Sequence, residues 1–199
     1  ASCISFYFTT LNVIEYITCN GITYTESQGG AFDVKLQNSN SIFRYSFSTG
    51  MTEGVRENYQ YEAYTIPPGL PASASGNRYY GNVFAIGGYS GQRRSGIWLP
   101  ENATYGDVWI YNNTFVGFDG CLKSEPTGGN PVSDVQFYNN ICADISNDAL
   151  FALGRIAYWT RTAVPSKYLY NCDENSTSTG YLFAGTTYGD LATLVSDGP

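Results

Sequence analysis

Two stretches of the chain carry the same run of apolar and polar positions: DVWIYNNTFVG over 107–117 and DVQFYNNICAD over 134–144, an apolar strand that ends in two asparagines. If Asn113 and Asn140 mark one position of a repeat, an apolar residue stands three places before each mark. The same pattern places further marks at Ile17, Ser46, Asn82 and Asn171. The six marks are separated by 29, 36, 31, 27 and 31 residues, and the residues three places earlier are Ile14, Phe43, Tyr79, Ile110, Phe137 and Tyr168. A second strand follows most marks: Gly30-Ala-Phe-Asp, Gly96-Ile-Trp-Leu, Gly120-Cys-Leu-Lys, Asp148-Ala-Leu-Phe and Gly180-Tyr-Leu-Phe. Its third place is large and apolar in each case (Phe32, Trp98, Leu122, Leu150, Leu182), so its fourth place is expected to point outward. In the stretch between the marks at 46 and 82, the best candidate for this strand is ENYQYEAYTI, 57–66.

Irregular periods near thirty, with short strands and turn residues in each, predict an all-β solenoid in which every coil pairs with its neighbours and loop insertions lengthen a period without disturbing the stack. The doubled asparagine then has a physical cause. Asn tolerates the left-handed backbone of a tight corner, and Asn side chains stacked about 4.8 Å apart on successive coils can bond amide to amide. Asn82, Asn113, Asn140 and Asn171 are expected to form such a ladder. A β-sandwich also accommodates short strands, but gives no reason for the same tetrad to follow the same corner. No amphipathic helix and no linker appear, so residues 1–199 read as a single domain of about six coils.

Composition agrees with this picture. Aromatic residues make up 16% of the chain and charged residues 14%, with 18 tyrosines and 22 glycines. A net charge of −7 provides no basic stripe to offset phosphate charge, which argues against a nucleic-acid partner. No apolar run is long enough to span a membrane. The chain has no histidine and its five cysteines form no CxxC pair, so a zinc site is not expected; one or two disulfides with a thiol left over are. Sequons at Asn102, Asn112 and Asn175 fit a secreted or cell-surface glycoprotein. Because the chain opens at Ala1 without Met, a processed, trimmed or incomplete start is expected.

The motifs YNNTF, YNNIC, GGAFD followed by NSIFRYSFS, and YGDLATL at 188–194 resemble the right-handed parallel β-helix superfamily, the pectate-lyase-like group. The resemblance runs from about Val13 to Leu194. It implies a right-handed coil and an extracellular protein that binds or processes a polysaccharide, as lyases, hydrolases and epimerases of the group do. It equally implies a structural alternative, since tailspikes and surface fibres share the coil. These motifs specify coils rather than catalysis. No end caps are evident, and open ends are sheet edges that invite pairing with another chain.

Absence of histidine removes triads and His-based acids, and the histidine motif and clustered aspartates of polygalacturonase-like hydrolases are missing. Hydrolysis needs two carboxyl groups, and the outward fourth place (Asp33, Leu99, Lys123, Phe151, Phe183) supplies one. β-Elimination on a uronate needs a base for the C5 proton and a cation for the carboxylate; in the superfamily that base is commonly Arg or Lys, sometimes beside Ca²⁺. Lys123 and Arg155 are therefore the candidate catalytic residues, with Asp33, Arg93, Arg94 and Phe151 as candidate substrate contacts. Ordinary solvated charge is the competing reading for each cation. Tyr111, Tyr138, Phe151 and Phe183 could stack on sugars, pack against another copy, or simply stabilise the sheet. Asp144 and Asp148 read as a solvated turn, and CDENSTSTG at 172–180 as a surface turn without the ligand spacing of a calcium loop. Partners are expected to be a polysaccharide or further copies of the chain.

Overall fold

A computed structural model describes residues 3–7, 10–21, 30–35, 39–51, 53–58, 74–86, 95–99, 105–124 and 132–145, together with the backbone of strands at 157–159, 167–169, 172–174, 181–183 and 186–188. Among the described residues there is no helix; the strands form three sheets. The first contains Ile4–Tyr7, Gly30–Lys35, Glu53–Asn58, Ser95–Leu99, Gly120–Ser124, Ala157–Trp159 and Tyr181–Phe183 in that order, and closes with Thr186–Tyr188. The second contains Val13–Glu15, Ile42–Arg44, Arg78–Tyr80, Tyr105–Tyr111, Val132–Tyr138 and Lys167–Leu169, with Ala74–Ser75 against the start of Tyr105–Tyr111. The third contains Thr18–Asn20, Phe47–Thr49, Val83–Ala85, Thr114–Val116, Ile141–Ala143 and Cys172–Glu174. Every pairing is parallel except the last, between Tyr181–Phe183 and Thr186–Tyr188. Apart from that last pair, strands adjacent in a sheet lie one full period apart in sequence, as a parallel β-solenoid requires and a sandwich of antiparallel strands does not.

The repeat read from the sequence is the register of the second sheet. Ile14, Phe43, Tyr79, Ile110, Phe137 and Tyr168 are paired in succession, including the two whose marks lack asparagine. The described members of this column face the core, where Phe43 and Tyr79 stack with centroids 4.8 Å apart. The residues on either side of the column face outward, as the period-two geometry of a strand dictates.

The two asparagines of the corner do different jobs. The first takes the left-handed backbone: Asn112 and Asn139 have φ of 54° and 52°, and Tyr16, Tyr45 and Gly81 occupy the same place with φ of 57°, 53° and 65°. The second is buried and forms the ladder. Asn113 Oδ1 accepts from the backbone N–H and the Nδ2 of Asn82 at 3.1 and 3.0 Å, and Asn140 Oδ1 accepts from the same two donors of Asn113 at 3.0 and 3.1 Å. Asn82 Oδ1 accepts from Ser46 N–H, and Ser46 Oγ from Ile17 N–H, so a hydroxyl continues the ladder where the amide ends. Asn171 lies outside the described residues. The expected ladder of Asn82, Asn113 and Asn140 is present, and the left-handed conformation belongs to the residue before each.

A second ladder stands at the opposite edge of the same sheet: Ser41 N–H donates to Asn77 Oδ1, and Asn12 donates to Ser41 Oγ. Each follows a left-handed residue, Leu11, Asn40 or Gly76. A third left-handed corner leaves the third sheet at Gly21, Gly50, Gly117 and Asp144.

Size complementarity closes the core between the first and third sheets. A Cβ at Gly54 would stand 2.9 Å from Cγ of Phe84, and one at Gly96 would stand 2.5 Å from Cδ1 of Phe115. At the equivalent place one period later, the glycine and phenylalanine give way to Cys121 and Cys142, which are bonded. Cys3 and Cys19 are bonded likewise. Both disulfides join the first and third sheets within one turn of chain, rather than linking one rung to the next.

Candidate functional site

Connections from the second sheet to the third are always two residues long, whereas those that enter or leave the first sheet run from three to fifteen. The first sheet is also covered on its outward side: Ser95–Leu99 is buried at all five positions, whereas described strands of the other two sheets bury only their central residue along their three-residue cores. Chemistry-bearing residues on this sheet therefore sit in a sheltered place, flanked by the variable parts of the chain.

One outward column there runs Asp33, Arg56, Trp98, Lys123, paired rung by rung. Their exposures are 4%, 7%, 5% and 6%. The Arg56 guanidinium lies 4.6 Å from the Trp98 ring centroid and the Lys123 ammonium 5.7 Å from it, so one indole is bracketed by two cations. The ring quadrupole attracts each cation, and burial strengthens that attraction to about 2 kcal/mol. Arg56 Nε is buried with no hydrogen-bond partner. Asp33 is next to Arg56 but three rungs from Lys123, about 14 Å at the spacing of paired strands.

Two expectations change here. Lys123 is not a solvated surface charge, since burial and the Trp98 ring surround it. The expected outward column is out of register by one at its second member: Ser95, not Gly96, pairs with Gly30's neighbour Glu53 and with Gly120, which turns Trp98 into line with Asp33 and Lys123 and puts Leu99 in line with Ser124. A slip of one residue exchanges the faces of a strand. Similarly, Leu182 pairs with Tyr158 in line with Lys123, and Ala157 rather than Leu150 follows Leu122. The strand expected at 57–66 is Glu53–Asn58, which is how Arg56 enters the column. Arg93, Arg94, Phe151, Arg155, Asn102 and Asn175 lie outside the described residues.

The outward face of the second sheet holds a different constellation. Glu15, Arg44, Tyr80, Tyr111 and Tyr138 form one column. Arg44 donates to Glu15 Oε2 at 2.6 Å and to the Tyr80 hydroxyl at 2.9 Å. Tyr80, Tyr111 and Tyr138 then stack nearly parallel, with centroids 4.9 and 5.1 Å apart. Both faces of the Tyr111 ring are covered by its neighbours, so it cannot offer a face to a sugar; the stack stabilises the sheet. Burial raises the phenol pKa of both Tyr111 and Tyr138. Asn112, the described sequon asparagine, is exposed at the adjoining corner.

Among the described residues no group of three or more His, Cys, Asp or Glu is placed to hold a metal ion. Asp33 is the single carboxylate of its column and adjoins a guanidinium, which is a poor start for the six to eight oxygens calcium takes. Among the described residues no helix is long and apolar enough to cross a membrane. Comparison with protein-family models, curated proteins and solved structures gives no match.

Proposed function

We propose that the protein is an extracellular, right-handed parallel β-helix of about six coils that binds or processes a polysaccharide, which reaches the sheltered outward column of the first sheet by displacing what covers it. The observation that carries this reading is the bracketing of Trp98 by Arg56 and Lys123. Two cations suit the carboxylates of a uronate chain, and the unspent Nε donor of Arg56 suits an anionic acceptor; the Trp98 ring, its faces taken by the two cations, positions them rather than stacking on a sugar. Right-handedness is supported by the near-universal hand of parallel crossover connections. Two disulfides support an oxidising, extracellular location.

Where the reading extends to catalysis, elimination is favoured over hydrolysis, because the column provides cations and one carboxylate rather than a carboxyl pair. Lys123 takes the C5 proton, the C4–O bond breaks as the C4–C5 double bond forms, and the departing oxygen acquires a proton. Arg56 neutralises the uronate carboxylate, a role the sequence reading had no means to give it; Arg155 is the second candidate base. Incubation with a panel of uronate polymers, with and without Ca²⁺, tests this by the absorbance of unsaturated products, alongside retardation in gels that contain each polymer. Retardation that Trp98→Ala weakens about tenfold, and product formation that Lys123→Ala lowers about a hundredfold, are expected. A folded protein that neither cleaves nor is retarded by any polymer ends the reading.

A non-catalytic structural subunit of an extracellular filament, sheath or surface fibre is the second reading. The stack of Tyr80, Tyr111 and Tyr138 favours it, because a ring column whose faces are spent on one another serves rigidity rather than ligand capture.

A further inference from the structure

We propose that the outward face of the third sheet pairs with the same face of a second copy, related by a two-fold axis parallel to the coil axis. Two columns point outward from this sheet. One is a ridge of larger side chains, Phe47, Val83, Thr114 and Ile141, in register on successive strands; Phe47, Val83 and Ile141 are 43%, 36% and 44% exposed. The other, the groove of Thr49, Ala85, Val116 and Ala143, is lower than the ridge at the rungs of Phe47, Val83 and Ile141 and level with it at Thr114 and Val116; Thr18 and Asn20 extend the two columns by one rung. Rotation about an axis parallel to the columns exchanges left and right while keeping the direction of the rungs, so each ridge lies over the other copy's groove, with Val83 facing Ala85. Rotation about an axis parallel to the strands would set ridge on ridge. A self-complementary face of this kind is what an isologous contact requires.

Charge points to the same occupant. The chain carries a net charge of −7, so two copies repel unless they meet where neither is charged. The outward columns of the first and second sheets include Asp33, Arg56 and Lys123, and Glu15, Arg44 and Arg78. On the third sheet none of the described outward side chains is charged. Asp144 flanks the groove at its corner, and the two-fold sets it against the corner on the far side of the ridge, where Asn112 and Asn139 stand, rather than against a second carboxylate.

Five described rungs of three residues give a face of about 240 Å² per copy, well below the roughly 800 Å² of a standard interface, so the contact is weak and concentration-dependent. Sedimentation equilibrium of the intact chain over a wide concentration series tests it. The weight-average mass is expected to rise towards that of a dimer with concentration, and more steeply in sodium sulfate, which strengthens apolar burial and screens the net charge. Val83→Arg and, separately, Ala85→Arg are expected to weaken association at least tenfold with circular dichroism unchanged, because both positions are outward. Gln136→Arg, outward on the second sheet, is expected to leave it unchanged. Should Val83→Arg lose its fold, Ile141→Lys on the same ridge provides the same comparison. A mass that stays monomeric throughout, or association that survives both face variants, overturns the proposal, and neither outcome bears on whether the first sheet binds a polymer.

Discussion

Asn113 gives both its backbone N–H and its side-chain amide to Asn140 Oδ1, and receives the same pair of bonds from Asn82 on its own Oδ1. Its Nδ2 also donates to the carbonyls of Tyr79 and Tyr111. The ladder therefore satisfies buried backbone groups that no sheet hydrogen bond reaches at the corner, where the strand direction changes. Asn113→Ala leaves the buried Asn82 N–H and the Tyr79 carbonyl without these partners. At about 1–3 kcal/mol for each unsatisfied group, a loss of roughly 3 kcal/mol is expected in urea denaturation. Asn112→Ala, by contrast, keeps the ladder and alters only the left-handed corner, at a cost of about 1 kcal/mol.

The glycine and phenylalanine pairs give a coupled prediction. Gly96→Ala forces a methyl into Phe115, so it is expected to cost about 1–3 kcal/mol of overpacking. Phe115→Ala costs about 3–5 kcal/mol by leaving a cavity. In the double variant the methyl enters space the ring has vacated, while its close approach to the Cys121 carbonyl oxygen at 2.8 Å remains, so the combined loss is smaller than the sum of the two single losses without vanishing. Strict additivity in a double-mutant cycle would show that the two positions do not share one space.

Much of this was legible in the sequence. The column from Ile14 to Tyr168 could be read because each member precedes its mark by a fixed three residues, across a two-residue corner whose length never changes. The first sheet was harder, because connections of unequal length separate it from any fixed mark, and a tetrad beginning with glycine can be aligned one residue early. Gly96 looks like Gly30 and Gly120, yet its lack of a side chain answers Phe115. That slip hid Trp98, and misplacing the neighbouring strand hid Arg56, so the bracketed indole could not be foreseen. The second ladder at Asn12, Ser41 and Asn77 was missed because Val108 and Val135 replace its polar residue in later turns, leaving no constant letter to follow.

The disulfides make a chemical prediction. With Cys3 bonded to Cys19 and Cys121 to Cys142, thiol titration of the denatured, unreduced protein is expected to give one equivalent, and peptide mapping to assign it to Cys172. Replacing Cys121 and Cys142 together by Ala is expected to lower stability by about 3 kcal/mol, because the bond closes a loop of some twenty residues in the unfolded chain. Recovery of a peptide linking Cys142 to Cys172 would contradict the pairing within one turn.

Tyrosine ionisation sets an alkaline limit. Burial raises the folded-state pKa of Tyr111 and Tyr138 above the ordinary value of 10.0, so above that pH the unfolded chain loses protons that the folded one retains. Stability therefore falls as pH rises through and beyond about 10, and is unaffected by these groups below it. Tyr111→Phe with Tyr138→Phe keeps the stacked rings and removes the phenols, so its urea midpoint is expected to fall less steeply between neutral and alkaline pH. An identical slope in both proteins would exclude these two groups as the cause.

The central claim is that successive corners lie over one another on parallel rungs, joined through their asparagines. Nuclear Overhauser spectroscopy on protein carrying ¹⁵N only in asparagine addresses it most directly. Sequential cross-peaks from Asn82 to Asn113 and from Asn113 to Asn140, between side-chain amides that exchange slowly with solvent, are the predicted result. Rapid exchange of those amides with no contact between Asn113 and Asn140 would contradict it.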